Sequence, residues 1–206
     1  MARVTGPLMS MDASGQVAGS IVFSKWRGRN YVRRLVIPSN PKSALQIAMR
    51  ASLRFMTQSW AGFTTAVKED WTSLASVENI TLLNAAVRDA QARTRQGLGV
   101  RNSPDAVAGT TPDAPTDNSS FSGFKENNLL WTAGANAPEL GWMIWRSETG
   151  TFTRSPSTLI RIVPAATTSF VDTGLTNGTE YFYEVAGLND DGEIGASSAE
   201  INLTPA

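Results

Sequence analysis

The sequence predicts an α+β N-terminal domain, made of a β-hairpin and two or three helices, followed by an all-β sandwich. Three observations support this prediction. β-Branched and aromatic residues cluster in two short runs before residue 38, apolar residues recur at helical spacing between residues 42 and 95, and the apolar period changes to two after residue 119. A stretch rich in Gly and Pro separates the last two regions. We therefore predict domains at residues 1–96 and 119–206, joined by a flexible linker at residues 97–118.

Charge divides along the chain in the same way. The formal net charge is zero, yet residues 1–110 contain 14 Lys and Arg against 6 Asp and Glu, whereas residues 111–206 contain 4 against 12. Opposite charges on two modules favour head-to-tail attraction between copies, over the roughly 8 Å that physiological salt allows. The sequence is therefore typical of a homo-oligomer or a symmetric array.

Composition argues against an enzyme. The chain contains no Cys and no His, which excludes thiol nucleophiles, serine–histidine triads, disulfides, and zinc sites that use either residue. The remaining carboxylates Glu180, Glu184, Glu193 and Glu200 are dispersed, and the acidic loop at residues 189–193 matches no complete calcium loop. No segment approaches the roughly 18 apolar residues of a membrane span. We predict no catalysis, no cofactor, no metal and no membrane partner.

The hairpin is predicted from strands at Val17–Ser24 and Tyr31–Ile37, with turn residues at 25–30 and a mobile arm at residues 1–16. It carries the candidate binding residues, which are basic or aromatic: Lys25, Trp26, Arg27, Arg29, Tyr31, Arg33 and Arg34. Such a set suits an acidic protein partner, a nucleic acid contacted by phosphate pairing and base stacking, or a plain charged surface that blocks unwanted strand pairing.

Helical periodicity follows the hairpin. Pro41 fits the first turn of a helix that runs to about Ala61, and Thr64 or Thr65 caps a second helix. A third helix is predicted at Val77–Arg95, with Ile80, Leu83, Val87 and Ala90 on one face. The first helix places five residues on one stripe, and we predict that they form the core together with Trp71, which faces Trp60: Leu45, Met49, Leu53, Met56 and Trp60.

Six short strand-like runs occupy the region after residue 119, which is typical of an antiparallel sandwich. They include Trp142-Met143-Ile144-Trp145. Because Trp142 and Trp145 differ by three positions, they point to opposite faces of a strand. We therefore predict that one is in the core and that the other is exposed and available for glycan or protein contact.

The strands and corner residues resemble a fibronectin type III domain over residues 119–206. Trp131 stands at the place of that family's core tryptophan, and Leu175-Thr176-Asn177-Gly178-Thr179-Glu180-Tyr181 is similar to its corner motif. The resemblance implies that Tyr181 caps the corner with its hydroxyl and belongs to the structural core with Trp131, while Tyr183 and Val185 point inward. It also implies a display or spacer module. The chain lacks the Arg-Gly-Asp tripeptide that some members use to bind integrins.

Residues 14–75 resemble a group of small proteins of tailed bacteriophages and prophages, which often append an immunoglobulin-like or fibronectin-like domain. The residues that carry this resemblance are Ser14-Gly15, Ile21-Val22-Phe23-Ser24, Tyr31-Val32-Arg33, Asn40-Pro41, Gln46, Arg50, Trp60 and Trp71. It implies a structural component of the virion, either a capsid decoration or accessory protein or a head–tail connector. The hairpin would dock on capsid, neck or tail proteins and the sandwich would project. The alternatives are a tail-associated or host-surface glycan-binding protein, and a nucleic-acid-binding protein.

Overall fold

The structure is a computed structural model that describes residues 2–3, 14–37, 40 and 42–206. It consists of two compact units, residues 1–41 and residues 42–206. We call the first the basic sheet unit, because it has six Lys and Arg against one Asp, and the second the body. This division differs from the predicted boundary at residues 97–118, because the helices belong to the same unit as the sandwich. Most of the predicted N-terminal arm, with Ser39 and Pro41, lies outside the described residues.

The basic sheet unit is a four-stranded antiparallel sheet in the order β1-β4-β3-β2. Its strands are β1 (Ala2–Arg3), β2 (Gly15–Val17), β3 (Ile21–Trp26) and β4 (Arg29–Arg34). The predicted hairpin is present, with a turn of only two residues. Arg27 and Gly28 adopt φ values of 49° and 76°, and two consecutive positive φ angles give the turn a twist that matches the flanking strands.

The helical part of the body contains α1 (Ala44–Ser59), a 3-10 turn (Trp60–Gly62), α2 (Thr65–Glu69), α3 (Thr72–Glu78) and α4 (Leu82–Arg95). The Thr64 hydroxyl accepts the Val67 N–H at 3.4 Å, as a helix cap does. The predicted second helix is divided into α2 and α3, and the predicted third helix begins at Leu82 instead of Val77. Asn79 ends α3 in the left-handed region at φ 53°, and the Thr81 hydroxyl begins α4 by accepting the Asn84 N–H at 3.3 Å.

The buried face of α1 differs from the predicted stripe. It is formed by Ala48, Ala51, Ser52, Phe55 and Met56. Leu45 is 47% exposed and Leu53 is 40% exposed, so placing them in the core was wrong, and Met49 is half-buried. The small residues Ala48, Ala51 and Ser52 let α1 lie close to a β-sheet, and Phe55 packs into that contact. Leu45 and Leu53 then lie on the outer side of the helix.

Trp60 and Trp71 pack in the same hydrophobic cluster but make different contacts. The half-buried Trp60 ring packs edge-on against Phe63, with ring centroids 6.0 Å apart. Trp71 is fully buried, and its indole N–H donates to the carbonyl of Asn102 at 2.8 Å. The prediction of Trp71 as a core residue is confirmed, whereas its partner comes from the segment after α4.

The sandwich has two antiparallel sheets, which confirms the predicted class of this region. One sheet contains β5 (Thr116–Asp117), β6 (Phe121–Gly123), β7 (Glu126–Thr132) and β10 (Ser169–Thr173). The other contains β8 (Gly141–Ser147), β9 (Leu159–Pro164), β11 (Tyr181–Leu188), β12 (Ile194–Ser197) and β13 (Ile201–Leu203). We call the second sheet the central sheet.

The core between the two sheets has the features that the fibronectin type III resemblance implies. Trp131 and Trp142 are buried there, with ring centroids 6.0 Å apart. The Tyr181 hydroxyl accepts the Thr176 N–H at 3.2 Å, which is the hydrogen bond of a tyrosine corner. Tyr183 and Val185 are fully buried on the same strand. The sandwich is therefore fibronectin type III-like.

A second hydrophobic core lies on the other face of the central sheet. There Met143, Trp145, Leu159, Ile162, Ala186 and Leu188 pack against α1 and α4 and against Trp71, Ala75 and Val100. Trp142 and Trp145 do point to opposite faces, but both are buried, at 1% and 3% exposure. The prediction that one of them is exposed was wrong, because the helices cover the face that a free sandwich would present to solvent.

The segment after α4 is packed in its first part. Val100 and Ser103 are buried, and Arg93 Nε donates to the Gly99 carbonyl at 2.6 Å. A Cβ atom on Gly99 would lie 2.3 Å from Leu188 Cδ1 and 2.6 Å from the Gly192 carbonyl oxygen. Residues 99–103 therefore form part of the body, in contrast to the predicted flexible linker.

Candidate functional site

The seven predicted binding residues lie on β3, β4 and the turn between them. Register divides them between two faces, because residues opposite each other on paired strands share a face. The pairs Trp26 with Arg29, Ser24 with Tyr31, and Val22 with Arg33 define the cationic face. The pairs Ile21 with Arg34, Phe23 with Val32, and Lys25 with Asn30 define the apolar face. The sheet therefore brings Trp26, Arg29, Tyr31 and Arg33 together and sends Lys25 and Arg34 to the other side.

The end of the hairpin, residues 25–29, presents an aromatic ring and a cation together. We call it the hairpin tip. Trp26 is 65% exposed, and the Arg27 guanidinium carbon lies 4.9 Å from the centroid of the indole ring. The guanidinium is attracted to the face of the ring, and Trp and Arg are both enriched at the energetic centres of protein interfaces.

The apolar face is open as well, and it also carries two cations, Lys25 and Arg34, beside its apolar residues. Val17 and Ile21 lie opposite each other on β2 and β3, and each is 44% exposed. Phe23 and Val32 are half-buried, and none of residues 14–37 is fully buried. Apolar sheet faces of this kind are normally covered by a second layer.

The body contains its own charged groups, and many of them hold the fold together. Arg101 makes two hydrogen bonds to Asp89, at 2.8 and 2.9 Å. Arg146 Nη1 donates to Asp172 at 2.7 Å, and the Tyr183 hydroxyl donates to the same carboxylate at 3.0 Å. Burial, followed by the Asp172 charge, raises the pKa of Tyr183 above its ordinary value. This cluster joins the two sheets of the sandwich.

A pocket of about 520 Å³ opens at one end of the central sheet. Its apolar wall includes Phe63, Val67, Leu140 and Pro164, and its carboxylates are Glu139 and Asp190. We call it the acidic pocket. Glu139 lies just before β8 and Asp190 just after β11, so antiparallel pairing of Gly141 with Leu188 brings them together. Sequence analysis missed this site because the lining residues come from separate segments; the only local signal was a carboxylate beside each of two strand ends.

The Asp190 carboxyl is partly buried in this pocket. Burial raises its pKa, and the nearby charges of Glu139 and Asp191 act in the same direction, while a hydrogen bond from Asn102 opposes them. In the described part of the chain, no ion pair involves Glu139 or Asp190. The pocket therefore presents negative charge beside apolar surface.

Two other candidate sites were considered from the sequence, a calcium site in the acidic loop at residues 189–193 and a glycan contact at Trp142 or Trp145. Within residues 14–37, 40 and 42–206, no group of three or more acidic residues could hold a metal ion. The loop at 189–193 instead packs on α4, where Arg93 Nη2 donates to the carbonyls of Asp191 and Gly192 at 3.4 Å each. Trp142 and Trp145 are both buried, so neither is exposed for the predicted glycan contact. Of the helices described, none has the length and apolar character to cross a membrane.

Comparison with known proteins gives matches in structure alone. No protein-family model and no curated protein matches the sequence. A β-1,2-glucanase from Parabacteroides distasonis aligns with 50% of this chain at 13% identity and a TM-score of 0.42, and the chain spans only 14% of that enzyme. An Fn3-like protein from Clostridium thermocellum aligns over 47% of this chain and 96% of its own, at 25% identity and a TM-score of 0.38. The fibronectin type III domain of a human protein aligns over 49% and 92%, at 15% identity and a TM-score of 0.40.

Proposed function

We propose that this chain is a structural component of a tailed-bacteriophage virion, either a capsid decoration or accessory protein or a head–tail connector. The basic sheet unit docks on other virion proteins, and the body is displayed. One observation carries the proposal: residues 14–37 form a sheet with an open apolar face, an open cationic face and no fully buried residue. Such a sheet gains its stability from a surface that covers it. The resemblance of residues 14–75 to phage proteins supports the choice of assembly.

The body differs from the basic sheet unit in packing and in charge, and this difference supports the same proposal. Its helical layer and two sheets enclose two separate hydrophobic cores. Its net charge is −5, from 12 Lys and Arg against 17 Asp and Glu, whereas residues 1–41 carry +5. A rigid acidic body joined to a basic sheet suits a protein that is attached at one end and projects at the other.

Incorporation into particles tests the proposal. Particles would be assembled in cells that supply either the full chain, residues 42–206, or a variant with Lys25, Arg27, Arg29, Arg33 and Arg34 changed to Gln. The bound chain is then quantified on gradient-purified particles. We expect incorporation to be lost for residues 42–206 and to fall at least about tenfold for the variant, since buried interfacial charges contribute more than 1.4 kcal/mol.

A matched control removes the same charge from the body. It changes five exposed cations to Gln: Lys42, Arg50, Arg54, Arg95 and Lys125. This control should be incorporated like the full chain. Deletion of residues 119–206 is unsuitable as a control, because it removes the sheet against which α1 packs. Normal incorporation of residues 42–206 would refute the proposal.

A second function, nucleic-acid binding, is favoured by one specific observation. Trp26, Arg29, Tyr31 and Arg33 share the cationic face, and side chains of this kind stack on bases and contact phosphates. If this function holds, a gel shift with single-stranded nucleic acid should weaken steeply with salt and disappear when Arg27, Arg29, Arg33 and Arg34 are neutralised. Absence of a shift at low salt would exclude it.

A further inference from the structure

The hairpin tip and the acidic pocket have opposite charges, and each has an apolar surface. The tip projects an indole ring that is 65% exposed, with a guanidinium against it and cationic residues at 25 and 29. The pocket offers a volume of about 520 Å³, an apolar wall and two carboxylates. An aromatic anchor that fills an apolar pocket while its cation meets a carboxylate is the usual arrangement at the energetic centre of an interface.

Charge indicates which molecule supplies the partner surface. Two basic sheet units repel each other, because each carries +5, whereas a basic sheet unit and a body attract each other with +5 against −5. A second copy of the chain therefore offers the matching surface through its body. Hairpin-to-hairpin pairing is disfavoured by the same argument.

We propose that the hairpin tip of one copy binds in the acidic pocket of a second copy, so that the chains associate head to tail. Trp26 packs against the wall formed by Phe63, Leu140 and Pro164, and the cations of the tip pair with Glu139 and Asp190. This inference rests on the proposed function and deepens it: the hairpin tip binds another copy of the chain, and the remaining surface of the basic sheet unit contacts other virion proteins. A contact between two different surfaces repeats from copy to copy, and it produces a ring when the rotation closes or a filament when it does not.

Sedimentation velocity of the purified full chain tests the contact over a range of concentrations at low and high salt. We expect concentration-dependent association that weakens with salt. Two variants should each weaken association at least about tenfold: Trp26→Ala in the tip, and Glu139→Gln with Asp190→Asn in the pocket. Both changes affect side chains that are partly or largely exposed, and circular dichroism confirms that the variants are folded.

A matched control uses the opposite end of the same two strands. Glu148 directly follows β8 and Glu180 directly precedes β11, and both are exposed. The double variant Glu148→Gln with Glu180→Gln therefore removes the same charge from the body and leaves the pocket intact. Its association should equal that of the unchanged chain. An equal loss in this control would show that net charge, rather than the pocket, drives association, and would overturn the proposal.

Mixing the tip variant with the pocket variant gives the sharpest result. Each lacks one half of the contact, but the intact tip of the pocket variant can still bind the intact pocket of the tip variant. We expect the mixture to form a one-to-one heterodimer that does not assemble into larger oligomers. Absence of this pair, or an unchanged chain that remains monomeric at low salt, would overturn the proposal. Since the assay uses purified protein alone, an unchanged chain that associates as expected but is not incorporated into particles would refute only the proposed function.

Discussion

Phe55 lies at the centre of the contact between α1 and the central sheet. It is 1% exposed, and a Cβ atom on Gly141 would lie 3.2 Å from the edge of its ring. The glycine thus makes room for the aromatic ring. Leu53, on the same helix, is 40% exposed although it belongs to the predicted apolar stripe. Phe55 therefore lies in the core at the position that sequence analysis assigned to Leu53.

Two alanine variants measure how much Phe55 and Leu53 each contribute to stability. We expect Phe55→Ala to lower the free energy of unfolding by about 3–5 kcal/mol, through lost burial and the cavity left behind. Leu53→Ala should cost about 1 kcal/mol or less, because its side chain is largely outside the core. Urea denaturation of the two variants checks the order. A larger loss for Leu53→Ala would show that the stripe read from the sequence is the buried one.

Tyr183 links stability to alkaline pH. Burial and the Asp172 carboxylate raise its pKa in the folded protein, whereas in the unfolded chain it titrates near its ordinary value of about 10. The stability it contributes is therefore complete below about pH 10 and is lost as the pH rises toward the folded pKa.

Urea unfolding at pH 9 and pH 11 tests this link. We expect the unchanged protein to lose more stability between these pH values than the Tyr183→Phe variant, which has no titrating hydroxyl. The comparison depends on the difference between the two proteins, because other groups titrate equally in both. Identical losses would show that the Tyr183 hydroxyl ionises as it does in the unfolded chain.

At the scale of elements, β8 shows how a strand is buried on both faces. Its residues from Gly141 to Trp145 are all buried, with Trp142 and Ile144 in one core and Met143 and Trp145 in the other. Alternation is expected when one face meets water, whereas a continuous apolar run is typical of a strand covered on both sides. The run Trp142-Met143-Ile144-Trp145 was therefore a local signal that a further layer covers the sandwich.

The segment at residues 99–103 is the second element whose role depends on packing. We expect Gly99→Ala to destabilise the protein by about 1–3 kcal/mol, because its Cβ would overlap Leu188 and the Gly192 carbonyl. Gly62→Ala is the matched control, since a Cβ there meets nothing within 4 Å; its effect should be neutral or slightly stabilising. Thermal unfolding distinguishes the two. A neutral Gly99→Ala would indicate that this segment is the loose linker predicted from its composition.

At the scale of the whole molecule, the helices and the sandwich form one folding unit. We expect residues 42–206 to unfold in a single transition and to bind little of a hydrophobic dye. Residues 119–206 alone would expose the outer face of the central sheet, including Met143, Trp145 and Leu159. This fragment should bind the dye and aggregate. A monomeric fragment with the melting temperature of residues 42–206 would contradict the single unit.

The candidate surface was predictable in content but not in arrangement. The basic and aromatic residues at 25–34 are evident from composition, and their hairpin follows from strand propensity. Their division between two faces depends on register, which the two-residue turn at Arg27–Gly28 sets. A turn one residue longer would move the side chains of one strand to the other face, so composition could not show that Trp26 shares a face with Arg29 and Tyr31 rather than with Arg34.

Local pattern was enough to identify the elements of this protein, because the period of the side chains is a geometric property of a helix or a strand. The hairpin, the first helix and the six strand runs follow from it, whereas the Tyr181 corner was implied by the resemblance to fibronectin type III domains. Tertiary packing determines which face of α1 is buried and which helices cover Trp145. It also places Glu139 and Asp190 in the same pocket. These features depend on contacts between residues far apart in the chain, and several different neighbours would satisfy the same apolar or charged pattern.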